Sequence, residues 1–169
     1  MTTDKVRLRA MEPEDLDFLY DMENSRELWN VGNANVPYSR YVLHDYIANA
    51  TNDIYRDGQV RMIVENGEGE AVGMADVFDF DPQHRRAEVS VAIAACHRRC
   101  GYAQAALQQL ARYAQRTLHL HQVYAVVAED NLPSLGLFDK CGFEGRNRLH
   151  DWLFDGTEYH DAIVMSKLF

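Results

Sequence analysis

One short stretch joins a predicted strand, a turn and a predicted helix. Residues 88–106 read Glu88-Val-Ser-Val-Ala-Ile-Ala-Ala-Cys-His-Arg98-Arg-Cys-Gly-Tyr-Ala103-Gln-Ala-Ala106. The part before Ala95 is almost wholly apolar, which predicts a strand buried on both faces. From Tyr102 onwards the apolar residues recur at helical spacing, namely Ala103, Ala106, Leu107, Leu110, Ala111 and Ala114.

The turn between this strand and helix has the features of an anion site. Gly101 can adopt a backbone conformation closed to other residues and lets a ligand approach the main chain. The first amides of a helix lack intrahelical partners and carry the positive end of the dipole. Arg98 and Arg99 add positive charge beside them. The turn therefore predicts a phosphate or pyrophosphate site, although a plain turn with solvated arginines would explain the same residues.

Composition limits the classes of protein that this chain can belong to. Its 169 residues, 47% of them hydrophobic, predict one domain over residues 1–169 with a real core. No signal peptide or membrane span is apparent, and three cysteines without a zinc pattern favour the reducing cytoplasm. The net charge of −9 argues against broad nucleic-acid binding. We expect no metal site, because His119 and His121 have no evident third ligand.

The rest of the chain alternates strands and helices. Helices are expected to begin at Pro13, near Ser39, at Tyr102 and near Asn131, the last one ending at Gly142. Strands are expected over residues 6–10, 60–65, 71–80, 85–94, 122–128, 143–154 and 159–168. This order predicts an α/β (α+β) fold with a mixed, seven-stranded sheet and about four helices.

A second motif lies about 30 residues beyond the first. Residues 131–143 read Asn131-Leu-Pro-Ser134-Leu-Gly-Leu-Phe138-Asp-Lys-Cys-Gly142-Phe143. Asn131 can cap the helix or bind a ligand, and Ser134 and Phe138 lie on one helical face. Gly142 is placed to end the helix in a left-handed conformation.

These two motifs together resemble those of the GCN5-related N-acetyltransferase (GNAT) superfamily. The first matches as Arg98-x-x-Gly101-x-Ala103, and the second as Asn131, Ser134, Phe138 and Gly142-Phe143. Further segments are similar to the bacterial spermidine/spermine and ribosomal-protein N-terminal acetyltransferase branch. They are Leu8-Arg9-Ala10 with Asp15-Leu16, His84-Arg85-Arg86-Ala87-Glu88, and Asp155-Gly156 with Asp161. The resemblance covers nearly the whole chain.

The resemblance implies a mostly antiparallel sheet that splays after the strand at 88–94, with acetyl-CoA as co-substrate in the gap. Its pantetheine arm would lie along the strand at Val91, Ala92 and Ile93, where the Ala92 or Ile93 amide would stabilise the oxyanion. Its pyrophosphate would contact the turn residues Arg98, Arg99, Cys100, Gly101, Tyr102, Ala103 and Gln104. Asn131, Ser134 and Phe138 would flank the thioester end, and Lys140 is a further residue expected to bind the coenzyme.

One position departs from the family pattern in a way that concerns catalysis. Family members commonly have a tyrosine where this chain has Phe138, and its hydroxyl protonates the departing thiolate. A thiol with a pKa of roughly 8.5 leaves tolerably without an acid, and water, Ser134 or a substrate group could serve instead. A regulatory protein that binds acetyl-CoA without turnover is the alternative.

The acceptor is expected to be a primary amine, a small amine or a polyamine. It must lose a proton, and Glu88 would accept it, directly or through a water, unless it is simply paired with Arg85 or Arg86. Further predicted substrate residues are Asp76, Asp79, Trp29 and Asn35.

The segment 31–47 weakens the case for a polyamine. It contains one acid, Asp45, opposed by Arg40, whereas a polycation requires several carboxylates. A peptide or protein N-terminus is therefore the rival substrate. The resemblance also implies a homo-oligomer, since relatives are often dimers or larger rings.

Overall fold

The computed structural model describes residues 5–29 and 36–169, apart from the side chain of Trp29. The strands are β1 (Val6–Ala10), β2 (Val60–Asn66), β3 (Ala71–Asp81), β4 (Arg86–Ile93), β5 (Gln122–Ala128), β6 (Glu144–Phe154) and β7 (Tyr159–Leu168). The helices are α1 (Leu16–Glu23), α2 (Arg26–Trp29), α3 (Arg40–Asn49), α4 (Ile54–Asp57), α5 (Tyr102–Arg116) and α6 (Leu132–Lys140).

The seven strands form one sheet in the order β1-β2-β3-β4-β5-β7-β6. All neighbouring pairs are antiparallel except β4 and β5, which are parallel because α5 carries the chain back between them. The predicted mixed, mostly antiparallel sheet is confirmed. The four helices of eight or more residues begin close to the expected places, and α2 and α4 add two short helices.

Helices cover both faces of the sheet. On one face α5 packs its buried Leu107 and Leu110 against Val77 and Val89 of the strands. Its small residues Ala105, Ala106 and Ala114 are fully buried, which lets this helix lie close to the sheet. On the other face Leu19 and Met22 of α1 and Leu43 of α3 pack against Ile63 and Met74. None of the helices in the described part of the chain is long and apolar enough to cross a membrane.

A buried ion pair fixes the start of α1 to β1. Asp15, which is 5% exposed, accepts hydrogen bonds from both terminal nitrogens of Arg9 at 2.8 and 2.9 Å. It also accepts from the Glu12 N–H at 2.8 Å. Arg9 contacts Glu65 of β2 as well. Arg9 therefore joins β1 to both the start of α1 and β2.

Candidate active site

The sheet opens in its middle, between β4 and β5. The two strands pair only at Arg86 with Gln122, Ala87 with Val123 and Glu88 with Tyr124. Strand β4 continues to Ile93 and β5 to Ala128 without further pairing between them. The splay that the sequence predicts is thus confirmed, and we call the wedge beyond Glu88 the gap.

Backbone groups of alternate residues of β4 face the gap. The Ala94 N–H donates to Val72 O of the β3 side at 2.9 Å. Because N–H and C=O groups of one residue share a side and successive residues alternate, Ala92 also faces β3. Val91 and Ile93 face the gap. Of the two alternatives for an oxyanion donor, the Ile93 amide faces the gap and the Ala92 amide faces β3, and the role itself stays a prediction.

Glu88 lies at the apex of the gap. Its Oε1 accepts a hydrogen bond from the Val126 N–H across the gap at 3.3 Å, in place of a backbone acceptor. Burial raises the pKa of Glu88 above its usual value, and the nearby Asp79 charge acts in the same direction. The alternative of an ion pair with Arg85 or Arg86 is wrong. Arg85 donates to His119 O, and Arg86 pairs with Asp81 at 3.3 Å.

Asp76 lies on the same face of the sheet but is already paired. Arg61 donates to both of its carboxylate oxygens, at 2.7 and 3.0 Å, and the Ser90 hydroxyl is 3.3 Å away. Arg61 also contacts Glu23 of α1. Arg61 therefore holds the Asp76 carboxylate in place, although it is shared with a second carboxylate. Asp79 is exposed, as expected, in a left-handed conformation with φ 47°.

The turn at residues 98–101, which we call the phosphate turn after its expected ligand, has the backbone shape that Gly101 predicts. Gly101 has φ 80° and precedes the first residue of α5, so the amides of Tyr102, Ala103 and Gln104 have no preceding helical turn to donate to. Arg99 is also left-handed, with φ 62°, and exposed Cys100 lies between the two. These amides at the positive end of a 15-residue helix suit an anion.

Arg98 does not point along this turn. Its Nε donates to Ile93 O at 3.2 Å, and its NH1 pairs with Glu27 of α2 at 2.9 Å. The arginine of the motif therefore links the end of β4 to α2.

The second motif forms the start and end of α6. Asn131 Oδ1 accepts from the Ser134 N–H at 3.2 Å, so of its two expected roles the structure shows the cap. Phe138 is 5% exposed and packs edge-on against Phe143, with ring centroids 5.0 Å apart. Lys140 is exposed at the end of the helix. Gly142 has φ 81°, as its helix-stop role requires.

The structure describes only part of the segment that is expected to contact the acceptor amine. Asn35 lies outside the described residues, and Trp29 ends α2 with a side chain that is not described. Arg40, expected to oppose Asp45, instead pairs with Asp17 and stacks on the Tyr20 ring at 3.9 Å. Asp45 is exposed and keeps its charge free of Arg40.

The sequence analysis predicted no role for two side chains of this region. Tyr124 is the register partner of Glu88 on β5, and burial, followed by the Glu88 charge, raises its pKa. Strand alternation could have identified Tyr124, since it lies two residues before Val126. Arg61 had no local signal, because its partners Glu23 and Asp76 are distant in sequence.

One group of residues in the described part of the chain has the spacing of cation ligands. Asp155, Glu158 and His160 place one ligand atom each within 4.8 Å of one another at the β6–β7 turn. Asp155 already accepts from the backbone of Thr157 and Glu158 and contacts the His160 ring. Hydrogen bonds of the turn explain this group, and the absence of a metal site stays a prediction.

A sheet that splays at its centre, with a helix start beside the opening, is the arrangement that the sequence motifs predict for an N-acetyltransferase. Residues 5–144 match the Acetyltransferase (GNAT) domain family, so the chain belongs to that family. This result confirms the predicted class, an acetyl-CoA-dependent N-acetyltransferase.

Individual proteins similar to this chain include spermidine N-acetyltransferases. The spermidine N(1)-acetyltransferase of Vibrio cholerae is 27% identical over 167 residues, 96% of this chain and 95% of the relative. A crystal structure of spermidine N-acetyltransferase from Vibrio cholerae in complex with CoA and spermine superposes with a TM-score of 0.84 at 27% identity, covering 97% and 95% of the two chains. A dodecameric structure of that enzyme has a TM-score of 0.80 at 28% identity, covering 97% and 94%.

Proposed function

We propose that this protein transfers the acetyl group of acetyl-CoA to a primary amine of a polyamine such as spermidine or spermine. The observation that carries the proposal is Glu88, a half-buried carboxylate with a raised pKa at the apex of the gap. The similarity to spermidine acetyltransferases over nearly the full chain supports the substrate class.

The residues around the gap suit acetyl-CoA. The backbone groups of Val91 and Ile93 face the gap, where a pantetheine arm would bind as an added strand does. The first amides of α5 would bind the pyrophosphate, and the Ile93 N–H would donate to the thioester oxygen. Acetyl-CoA supplies the activated acetyl group, so the protein has to position it and to exclude water.

Glu88 would accept the proton that the amine must lose. A primary ammonium has a pKa of roughly 10, so at neutral pH a base has to act before the nitrogen can attack the thioester. The upward shift in the pKa of Glu88 makes it a stronger base than an exposed glutamate. Phe138 supplies no proton to the thiolate, which would leave as the anion or take a proton from water.

We infer one domain over residues 1–169, because a single sheet takes strands from both ends of the described chain. Three free cysteines support the reducing cytoplasm. The dodecameric relative supports a homo-oligomer.

The test is coenzyme A release from acetyl-CoA with a panel of amines. It would contain spermidine, spermine, putrescine, amino sugars, aminoglycosides and short peptides with free N-termini. We expect turnover with the polyamines. Turnover confined to peptides would establish the rival substrate class. No turnover with any acceptor, while acetyl-CoA still binds, would refute the proposed activity.

A further inference from the structure

A cleft of about 520 Å³ lies beside the phosphate turn. Its walls come from the residues around the start of α5, namely His97, Cys100 and Tyr102, and from the β2–β3 turn. Lys5, just before β1, also lines it. The cleft therefore brings a cation from the other end of the chain to the helix start that suits an anion.

Lys5 lies next to Gly101. A methyl group built on Gly101 would be 3.6 Å from Lys5 Nζ, so the ammonium lies within contact distance of the turn. Within residues 5–29 and 36–169, Lys5 makes no hydrogen bond or ion pair. Arg98, the cation that the motif places here, is instead held by Ile93 O and Glu27.

We infer that Lys5 binds a phosphate group of coenzyme A in this acetyltransferase, an inference that rests on the proposed function. Its ammonium adds a mobile charge to the fixed amides of the first turn of α5. The chain carries a net charge of −9, so an approaching polyphosphate depends on local cations.

The geometry also fixes the side from which the phosphate approaches. Glu68 and Glu70 line the cleft on the side of the β2–β3 turn, and Glu70 accepts a hydrogen bond from Asn66 at 2.9 Å. These carboxylates would repel an anion. The phosphate therefore contacts Lys5 from the Gly101 side, away from the two acids.

The experiment compares wild-type protein with Lys5→Ala, Lys5→Arg and the control Arg116→Ala. Arg116 is exposed at the far end of α5, about 21 Å along the helix by its rise per residue, and its loss changes the net charge equally. Calorimetry measures the Kd of coenzyme A. We expect Lys5→Ala to raise it about fivefold, with smaller effects at high salt, and Lys5→Arg to restore it. Arg116→Ala should bind as wild type does.

Two further ligands identify the phosphate. Dephospho-coenzyme A lacks the ribose phosphate, so an unchanged Lys5→Ala effect assigns Lys5 to the pyrophosphate, and a lost effect assigns it to the ribose phosphate. Turnover of S-acetylpantetheine, which has neither group, should be equal in Lys5→Ala and wild type. Equal coenzyme A affinities of Lys5→Ala and wild type would overturn the inference, whereas no binding by wild type would overturn the proposed function.

Discussion

Replacing Glu88 with glutamine separates its chemical role from its structural one. The glutamine oxygen can still accept from the Val126 N–H, which the Glu88 Oε1 now binds at 3.3 Å. The variant has no base. Because a positioned general base contributes about 10²- to 10⁴-fold, we expect kcat/KM for spermidine to fall by that factor, or roughly 2.7–5.4 kcal/mol of transition-state stabilisation.

Although Glu88→Gln should lose activity, its free energy of unfolding should not fall. Burial raises the pKa of Glu88, so the native state holds this proton more tightly than the unfolded chain. Such a carboxyl destabilises the native state at neutral pH, and this effect fades as the pH falls through the folded-state pKa towards the unfolded value. Glu88→Gln should therefore be at least as stable as wild type at pH 7. Glu88→Ala leaves the half-buried Val126 N–H without this acceptor and should lose about 1 kcal/mol.

The assay is coenzyme A release as a function of pH, together with urea unfolding of each variant. In wild type, kcat/KM should rise with pH through the raised pKa of Glu88, and this dependence should be missing from Glu88→Gln. Glu144→Gln removes an exposed carboxylate at the start of β6 and is the control. Wild-type kcat/KM in Glu88→Gln would refute the reasoning.

Three more predictions concern the turn, α6 and the core. Gly101→Ala and Gly58→Ala place a side chain at φ 80° and 68° and should each lose about 1–2 kcal/mol of stability, but calorimetry should find weaker acetyl-CoA binding only for Gly101→Ala. Equal affinities of the two would contradict the placement of the anion site. Phe138→Tyr should raise kcat about 10²-fold if the missing acid limits the rate, and an unchanged kcat would remove that idea. Burial raises the pKa of Asp15, but hydrogen bonds from Arg9 and from the backbone outweigh this effect. The pKa of Asp15 therefore lies below its usual value of 3.8. The stabilisation by Asp15 is thus present above pH 3.8 and is lost as the pH falls through the folded-state value, so Asp15→Asn should be less stable by about 2–3 kcal/mol at pH 7 and match wild type in acid. An equal deficit in acid and at pH 7 would contradict this.

The sequence predicts the sheet and the longer helices because their hydrophobic periods are uninterrupted. Strand β5 is an example, with Val123, Ala125 and Val127 buried and the residues between them half-buried. The short helix α4 escaped prediction, since four residues carry no period. The irregular pairing near Asp79 escaped as well, because a left-handed aspartate has no distinctive neighbours in sequence.

The site was predictable where function depends on the backbone. Gly101 and the start of α5 were located from the motif, since glycine adopts a left-handed conformation more readily than any other residue. The direction of Arg98 and the pairing of Asp76 were not predictable, because each depends on a partner from a distant element. Motifs indicate the backbone shape of the turn and of the helix ends, whereas long-range ion pairs decide which charges remain available.

Strands β4 and β5 are joined by only three residue pairs, and this short junction has a consequence for local opening of the native state. It joins a sub-sheet of four strands to one of three, so separating the halves breaks few ladder hydrogen bonds. The Val126 amide is held by the side chain of Glu88 rather than by a neighbouring strand. Its hydrogen exchange therefore reports the opening of the junction itself, and a ligand that fills the gap should slow that exchange more than it slows exchange in β1–β3.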